Sequence, residues 1–263
     1  MYLRSDHADA DVATLRRLIR ENPLGILTTA LPSDSFPLLQ SSHIPFLLDV
    51  EDESGETEQG VLRGHMARAN PHSKALVEAA TAAGASSDGS LPHEVLVLFN
   101  SPVQHYVTPK FYTETKPATG KVVPTWNYAA AQVYGRITVH HDTASSAAAA
   151  RFLSKQLADL SDMSERAIMG YTGEGAAPTA WKVADAPDRY TALLSKAIIG
   201  IEITIDRLQG KFKMSQEMGD GDRAGVVAGF RGLGTELGDR MAATVEERAE
   251  LKKARKAATQ EAH

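Results

Sequence analysis

The stretch VVPTWNYAAAQVYGRITV, residues 122–139, places a proline, two large aromatics and an asparagine ahead of a run that alternates with period two. Val133, Gly135, Ile137 and Val139 fall on one side of that run; Gln132, Tyr134, Arg136 and Thr138 fall on the other. A strand is expected from Gln132 to His140, preceded by an aromatic loop region from Ser101 to Tyr128. Pro124 favours an extended Val123. If the chain is extended here, Trp126 and Tyr128 share a face and Asn127 lies opposite.

Strand patterns surround this stretch. EVLVLFN (94–100) is the most apolar and is expected to be central. GILTTA (25–30) and VLRGHMA (61–67) read as strands, and LLQSSHIPFLLDV (38–50) as an extended segment interrupted at Pro45. The acidic run EDESGETEQG (51–60) reads as a solvated hairpin loop. IIGIEITIDRLQGKFKMS (198–215) is expected to give a strand, a turn and an extended basic piece.

Helices are expected over 9–22, from Asn70-Pro71 until a fade near Gly84, over 143–160, and briefly over RYTALLSKA (189–197). ASSDGS (85–90) is linker-like, and Ser161–Asp188 is poorly patterned. After Gly219 the composition turns glycine-rich, then charged and alanine-rich to His263. The expected organisation is a domain over 1–218 and a charged, partly helical or flexible extension over 219–263. The fold class is mainly β with α elements, and at least six strands can close into a small barrel that removes sheet edges. No glycine-rich phosphate loop follows the first strand, which argues against a doubly wound dinucleotide fold.

The chain has 263 residues, 43% hydrophobic and 23% charged, with a net charge of −5 and a pI of about 6.0. That balance gives no general attraction to nucleic acid, although a local basic patch stays possible. The absence of cysteine excludes disulfides, thiolate nucleophiles and cysteine-ligated metals. The opening MYLRSDHADAD carries acids where a secretory signal needs an apolar run, and the apolar stretches are far shorter than a membrane span. A cytoplasmic location with no membrane partner is expected.

Several groups could carry chemistry. RGHMARANPHS (63–73) brings Arg63, His65, Arg68, Asn70 and His72 to a helix opened by Pro71. Free N–H groups at a helix start and two guanidiniums suit a phosphate; the bland alternative is that Asn70 caps the helix and the arginines face solvent. In QSSHIPF (40–46), Ser41, His43 and Pro45 share one strand face while Ser42, Ile44 and Phe46 share the other. His43 could line a polar cleft or be a satisfied histidine. His43, His65, His72 and His105 match no standard metal spacing, so no metal is expected. Trp126, Asn127 and Tyr128 offer ring, amide and hydroxyl groups to a planar heterocycle such as a flavin; a core cluster or a dimer interface would use the same residues. Lys211 and Lys213 alternate with Phe212 and Met214, and Ser215 and Gln216 extend the polar set; these charges could balance a phosphate or merely solvate an edge strand.

Taken together, MYLRSDH, SSHIPF, LRGHMARANPH, VPTWNYAAAQVYG, IIGIEI and KFKMSQ resemble, in this order, the blocks of the PaiB-like transcriptional regulator family, also described as FMN-binding domain proteins. The resemblance covers residues 1–218. It departs from the family pattern at Ser73, at Gln132 and in FNSPVQHYVT. It implies a split β-barrel of Greek-key type with peripheral helices, related to flavin reductase and pyridoxamine phosphate oxidase-like proteins, forming a homodimer around FMN. On that reading Arg63, His65, Arg68 and Asn70 serve the phosphate side. Trp126, Asn127 and Tyr128 serve the ring side or the partner subunit, Lys213, Ser215 and Gln216 close the cleft, and His43 or His65 could move protons. Four further readings stay open: a flavin-dependent oxidoreductase using NAD(P)H, a ligand-sensing regulator that binds DNA, a structural or interaction protein with an empty cleft, and a haem-binding or haem-processing protein with His105 as axial ligand. No helix-turn-helix with a basic reading helix is evident in the sequence.

Overall fold

The computed structural model describes residues 1–55, 57–82 and 89–261. Contacts divide the chain into two compact units, Met1–Leu18 with Asn100–Gln132 and Gln209–His263, and Ile19–Phe99 with Val133–Leu208. We call them the first and second units.

The second unit holds the main antiparallel ladder. Its strands are β2 (Leu24–Ala30), β3 (Leu39–Pro45), β4 (Leu47–Asp49), β5 (Val61–Ala67) and β6 (Ser90–Asn100), with parts of β8 (Thr125–His140) and β9 (Ile198–Lys213). The hydrogen-bonded order is β3-β2-β6-β8-β9-β5-β4. In β2 the burial alternates strictly, so Gly25, Leu27 and Thr29 point inward. Leu27, Ile44, Phe46, Leu62, Val97, Phe99, Ile137, Ile201 and Ile203 form the core, with Phe46 edge-on to Phe99 at 6.0 Å between ring centroids. Each such side chain contributes about 1.5–3 kcal/mol by leaving water. Helix α2 (Pro71–Ala82) contributes Leu76 to the buried set, and α4 (Ala147–Met163), capped by Ser146 accepting from the Ala149 N–H, contributes Leu153.

The fold is the mainly antiparallel split barrel expected, with one correction. The ladder does not close as a hydrogen-bonded ring. Its two end strands, β3 and β4, are halves of one extended segment that breaks at Phe46 after Pro45. Proline has no N–H to donate, so the segment can exchange partners there, pairing with β2 before the break and with β5 after it. Strand β6 starts four residues before the expected Glu94; Pro92 is exposed and tolerated near its start. The helix fade near Gly84 and most of the linker-like stretch lie outside the described residues.

In the first unit, β8 begins at Thr125, well before the expected Gln132, and β7 (His105–Val107) pairs with it, placing Tyr106 opposite Trp126. The loop expected up to Tyr128 is therefore partly strand, and Trp126, Asn127 and Tyr128 lie within β8 rather than ahead of it. Asn127 is buried between the outward Trp126 and Tyr128, and the alternation resumes at Gln132 after the wholly buried Ala129, Ala130 and Ala131. The turn expected in LQGK is absent, because β9 runs straight through Gly210 and pairs there with β1 (Ala8–Asp9). A Cβ at Gly210 would lie 2.1 Å from Leu15 Cδ2, so the glycine serves close packing by α1 (Val12–Glu21).

The stretch after Gly219, expected as a charged, partly helical or flexible extension, forms α6 (Asp220–Arg231) and α7 (Glu236–Glu261), which bury Val226, Phe230, Met241 and Val245. Its glycines act in the same way as Gly210. Cβ atoms at Gly225 and Gly229 would meet the Phe111 carbonyl oxygen at 2.1 Å and its ring at 2.3 Å, so the bare helix face admits the Pro109–Phe111 turn.

Candidate functional site

The first unit gathers the polar groups from the end of β9 against the start of β8. Lys213 Nζ donates to Thr125 Oγ1 and, at 3.1 Å, to the Trp126 carbonyl. Burial pushes the Lys213 pKa down, with Glu217 opposing. Lys211 donates to the Tyr2 carbonyl at 3.0 Å and sits 5.4 Å from the Tyr128 ring centroid. Asn127 Nδ2 donates to Ser215 Oγ at 3.0 Å, and both residues are buried.

Ser215 has φ of 59°, the left-handed region that a non-glycine residue enters only when its surroundings hold it there. Gln216 supplies part of that hold: its Oε1 accepts from the Met214 N–H and its Nε2 donates to the Phe212 carbonyl, both at 2.6 Å. His7 donates to Glu217 at 2.9 Å. Burial raises the Glu217 pKa, but that bond and the charges of His7 and Lys213 outweigh it, and the net shift is down. Above this cluster the Tyr106 and Trp126 rings, 42% and 49% exposed, pair at 6.4 Å. An exposed aromatic pair beside a half-buried ammonium, with an amide and a hydroxyl fixed behind it, can hold a flat ring that carries negative charge.

The remaining expected site residues lie in the second unit. Arg63 is buried and engages Asp49 Oδ1 at 2.9 Å, Asp159 Oδ2 at 2.7 Å and Gln156 Oε1 at 3.1 Å. Arg68 donates to three backbone carbonyls, those of Lys196, His141 and Ile198. Asn70 caps α2, accepting from the His72 N–H at 2.9 Å. His43 is exposed on β3 opposite Ile26. His65 lines a cavity wall. His105 donates through Nδ1 to the Tyr106 carbonyl at 2.7 Å and packs edge-on against Phe230. The structure therefore brings Trp126, Asn127, Lys213, Ser215 and Gln216 together in one unit. In the other, it gives Arg63 and Arg68 partners within the protein.

Two constellations escaped the sequence reading. One is the His7–Glu217 pair, whose members are 210 residues apart. The other is a hub at His72, where Nε2 meets Thr29 Oγ1 and Nδ1 meets Ser42 Oγ, both at 2.9 Å. Burial drives the His72 pKa down to about 4. Two hydroxyls satisfy a neutral imidazole in either tautomer and offer no charge to an imidazolium. The partners come from different strands, so no local spacing announces them.

Fold and cluster together define a split-barrel protein with an aromatic and cationic face. The chain belongs to the family described as "Putative FMN-binding domain", whose model matches residues 1–207. It is 60% identical over 255 residues to an uncharacterized protein of Emericella nidulans, covering 96% of this chain and 99% of that one. It is 56% identical over 260 residues to an uncharacterized protein of Aspergillus fumigatus, again covering 96% and 99%. Among solved structures it is similar to a conserved hypothetical protein of Mycobacterium tuberculosis, with 11% identity, 83% of this chain and 94% of that chain covered, and a TM-score of 0.45. No helix among the described residues is long and apolar enough to cross a membrane.

Proposed function

We propose that this protein binds FMN and does so as a homodimer. The observation that carries the reading is the family match over residues 1–207. The first-unit cluster supports it, because its residues fit the cofactor's chemistry. Trp126 and Tyr106 offer ring faces, Lys213 and Lys211 offer positive charge, and Asn127 and Ser215, buried and bonded to each other, hold the strand ends that carry them. Gln216 acts through Ser215 by fastening the left-handed turn. Cations beside an aromatic pair favour a phosphorylated ring. Bound FMN supplies hydride and single-electron chemistry. The chain's part is to orient the ring and exclude water.

Self-association draws support from the outer face of the second-unit sheet. Leu24 and Leu39 are exposed there, and Ile26, Leu96 and Leu98 are half-buried in adjoining rows. A sheet face that leaves these side chains to water beside Thr28, Ser41 and His43 suits a second copy.

The test is FMN titration followed by flavin fluorescence. Saturable quenching is expected, with affinity reduced about ten-fold or more in Lys213→Met and in Trp126→Ala, the scale of one charge-assisted or stacking contact. Absence of any fluorescence change at saturating FMN overturns the reading. The resemblance also offers Arg63, His65, Arg68, Asn70 and His43 to the ligand, and Arg68→Met tests that part separately. Anaerobic mixing with NADH or NADPH tests turnover. Salt-dependent binding to specific and scrambled duplexes tests the regulatory role.

A further inference from the structure

A cavity of about 570 Å³ lies in the second unit, bounded by β5, α4 and α5 (Asp188–Lys196). Its size is that of a small-molecule site. His65 and Leu160 line one part, and Trp181, Tyr190 and Leu194 another. Among the described residues no Asp, Glu, Lys or Arg side chain lines it, whereas a cavity of about 640 Å³ that shares Trp181 is lined by Arg63, Asp49, Lys155 and Asp159. The first cavity therefore gives an ion nothing to pair with.

Two observations point to an occupant. Trp181, Tyr190 and Leu194 are each about half exposed around one half-open cavity, and α5 buries none of its own residues. A helix that carries apolar side chains but adds nothing to the core is a wall, and filling the space before it would remove those side chains from water. The second observation is His65. Its side chain makes no hydrogen bond in the described structure, and its Nδ1 is buried without a partner. Burial lowers its pKa, so the ring is neutral near pH 7, with one donor and one acceptor to offer.

We infer that this cavity binds an uncharged, largely apolar ring compound carrying one hydrogen-bonding oxygen, with the rings against Trp181, Tyr190 and Leu194 and the oxygen bonded to the His65 imidazole. The site is distinct from the aromatic and cationic cluster proposed for FMN, and the inference stands whether or not that cluster binds flavin.

Calorimetric titration of the full chain with 2-naphthol, with and without FMN, tests it. Saturable binding is expected, weaker by about ten-fold in His65→Leu, the worth of one hydrogen bond. It is expected to be abolished in Leu194→Trp, a change on a helix with no buried residue that leaves the core intact. Naphthalene-2-carboxylate, equal in shape but charged, is expected to bind at least ten-fold more weakly. Any one of four results overturns the inference: no saturable heat with 2-naphthol, equal affinity for the carboxylate, competition by FMN, or a change of oligomeric mass in Leu194→Trp. Competition would make the cavity the flavin's own seat. A change of mass would make the wall a contact between copies.

Discussion

His65 and His72 are seven residues apart, one on β5 and the other at the start of α2, and both are largely buried in the second unit. Burial lowers the pKa of each. The resemblance ends there. His72 holds a hydroxyl at each ring nitrogen, and its backbone N–H is taken by Asn70. His65 holds nothing and faces a cavity. A saturated buried histidine belongs to the scaffold. An unsaturated one carries a standing cost of about 1–3 kcal/mol.

The largest expected difference between the two is in acid. The unfolded chain protonates His72 near 6.5, and the folded chain only near 4. Between those values the unfolded state holds the extra proton, so stability falls as pH drops through this window and is unaffected by this group above it. The expected loss is about 3 kcal/mol. Urea unfolding of the wild type and His72→Gln at pH 7 and pH 4.5 measures it; an equally steep loss in the variant would break the comparison.

Thr29→Val comes next. It leaves one imidazole nitrogen buried and unpaired, with an expected cost of about 1–3 kcal/mol in the same assay. Ser42→Ala removes a half-buried partner that also accepts from Asn70, and about 1 kcal/mol is expected because water can reach the site. His65→Leu closes the series. It orphans no protein group and removes the unpaired nitrogen, so the expected outcome runs from no loss to a gain of about 1–3 kcal/mol, with most of the acid sensitivity retained. A cost near that of Thr29→Val would mean that His65 has a structural partner after all.

Much of the second unit was legible. Strand β5 spans the seven residues read as a strand, because VLRGHMA alternates and is bounded by turn residues. The inward and outward faces of LQSSHIP and of β8 beyond Gln132 follow from period two alone. Three features were not legible, for related reasons. Gly210 reads as a turn because the sequence shows a missing side chain but not Leu15, which occupies the space. The segment that forms α7 reads as only partly helical or flexible because Asp9, which receives Arg248 and Arg255, lies 239 and 246 positions away. The β8 start reads as loop because the partner that makes it a strand is only three residues long. Of the candidate site, residue types and local faces could be read, but partners could not. Lys213, Ser215 and Gln216 were legible as a polar set, but their closure onto Thr125 and Asn127 depends on contacts 87–88 residues apart.

The single residue between β3 and β4 bears on how the second unit opens. Phe46 joins the first and last rungs of the ladder and is itself buried. Neither terminal strand can peel away while the other stays seated without dragging that ring into water. Amide protons along Gly25–Leu27 and Leu62–Arg63 should therefore exchange with deuterium in step, as one cooperative unit with no loose outer strand.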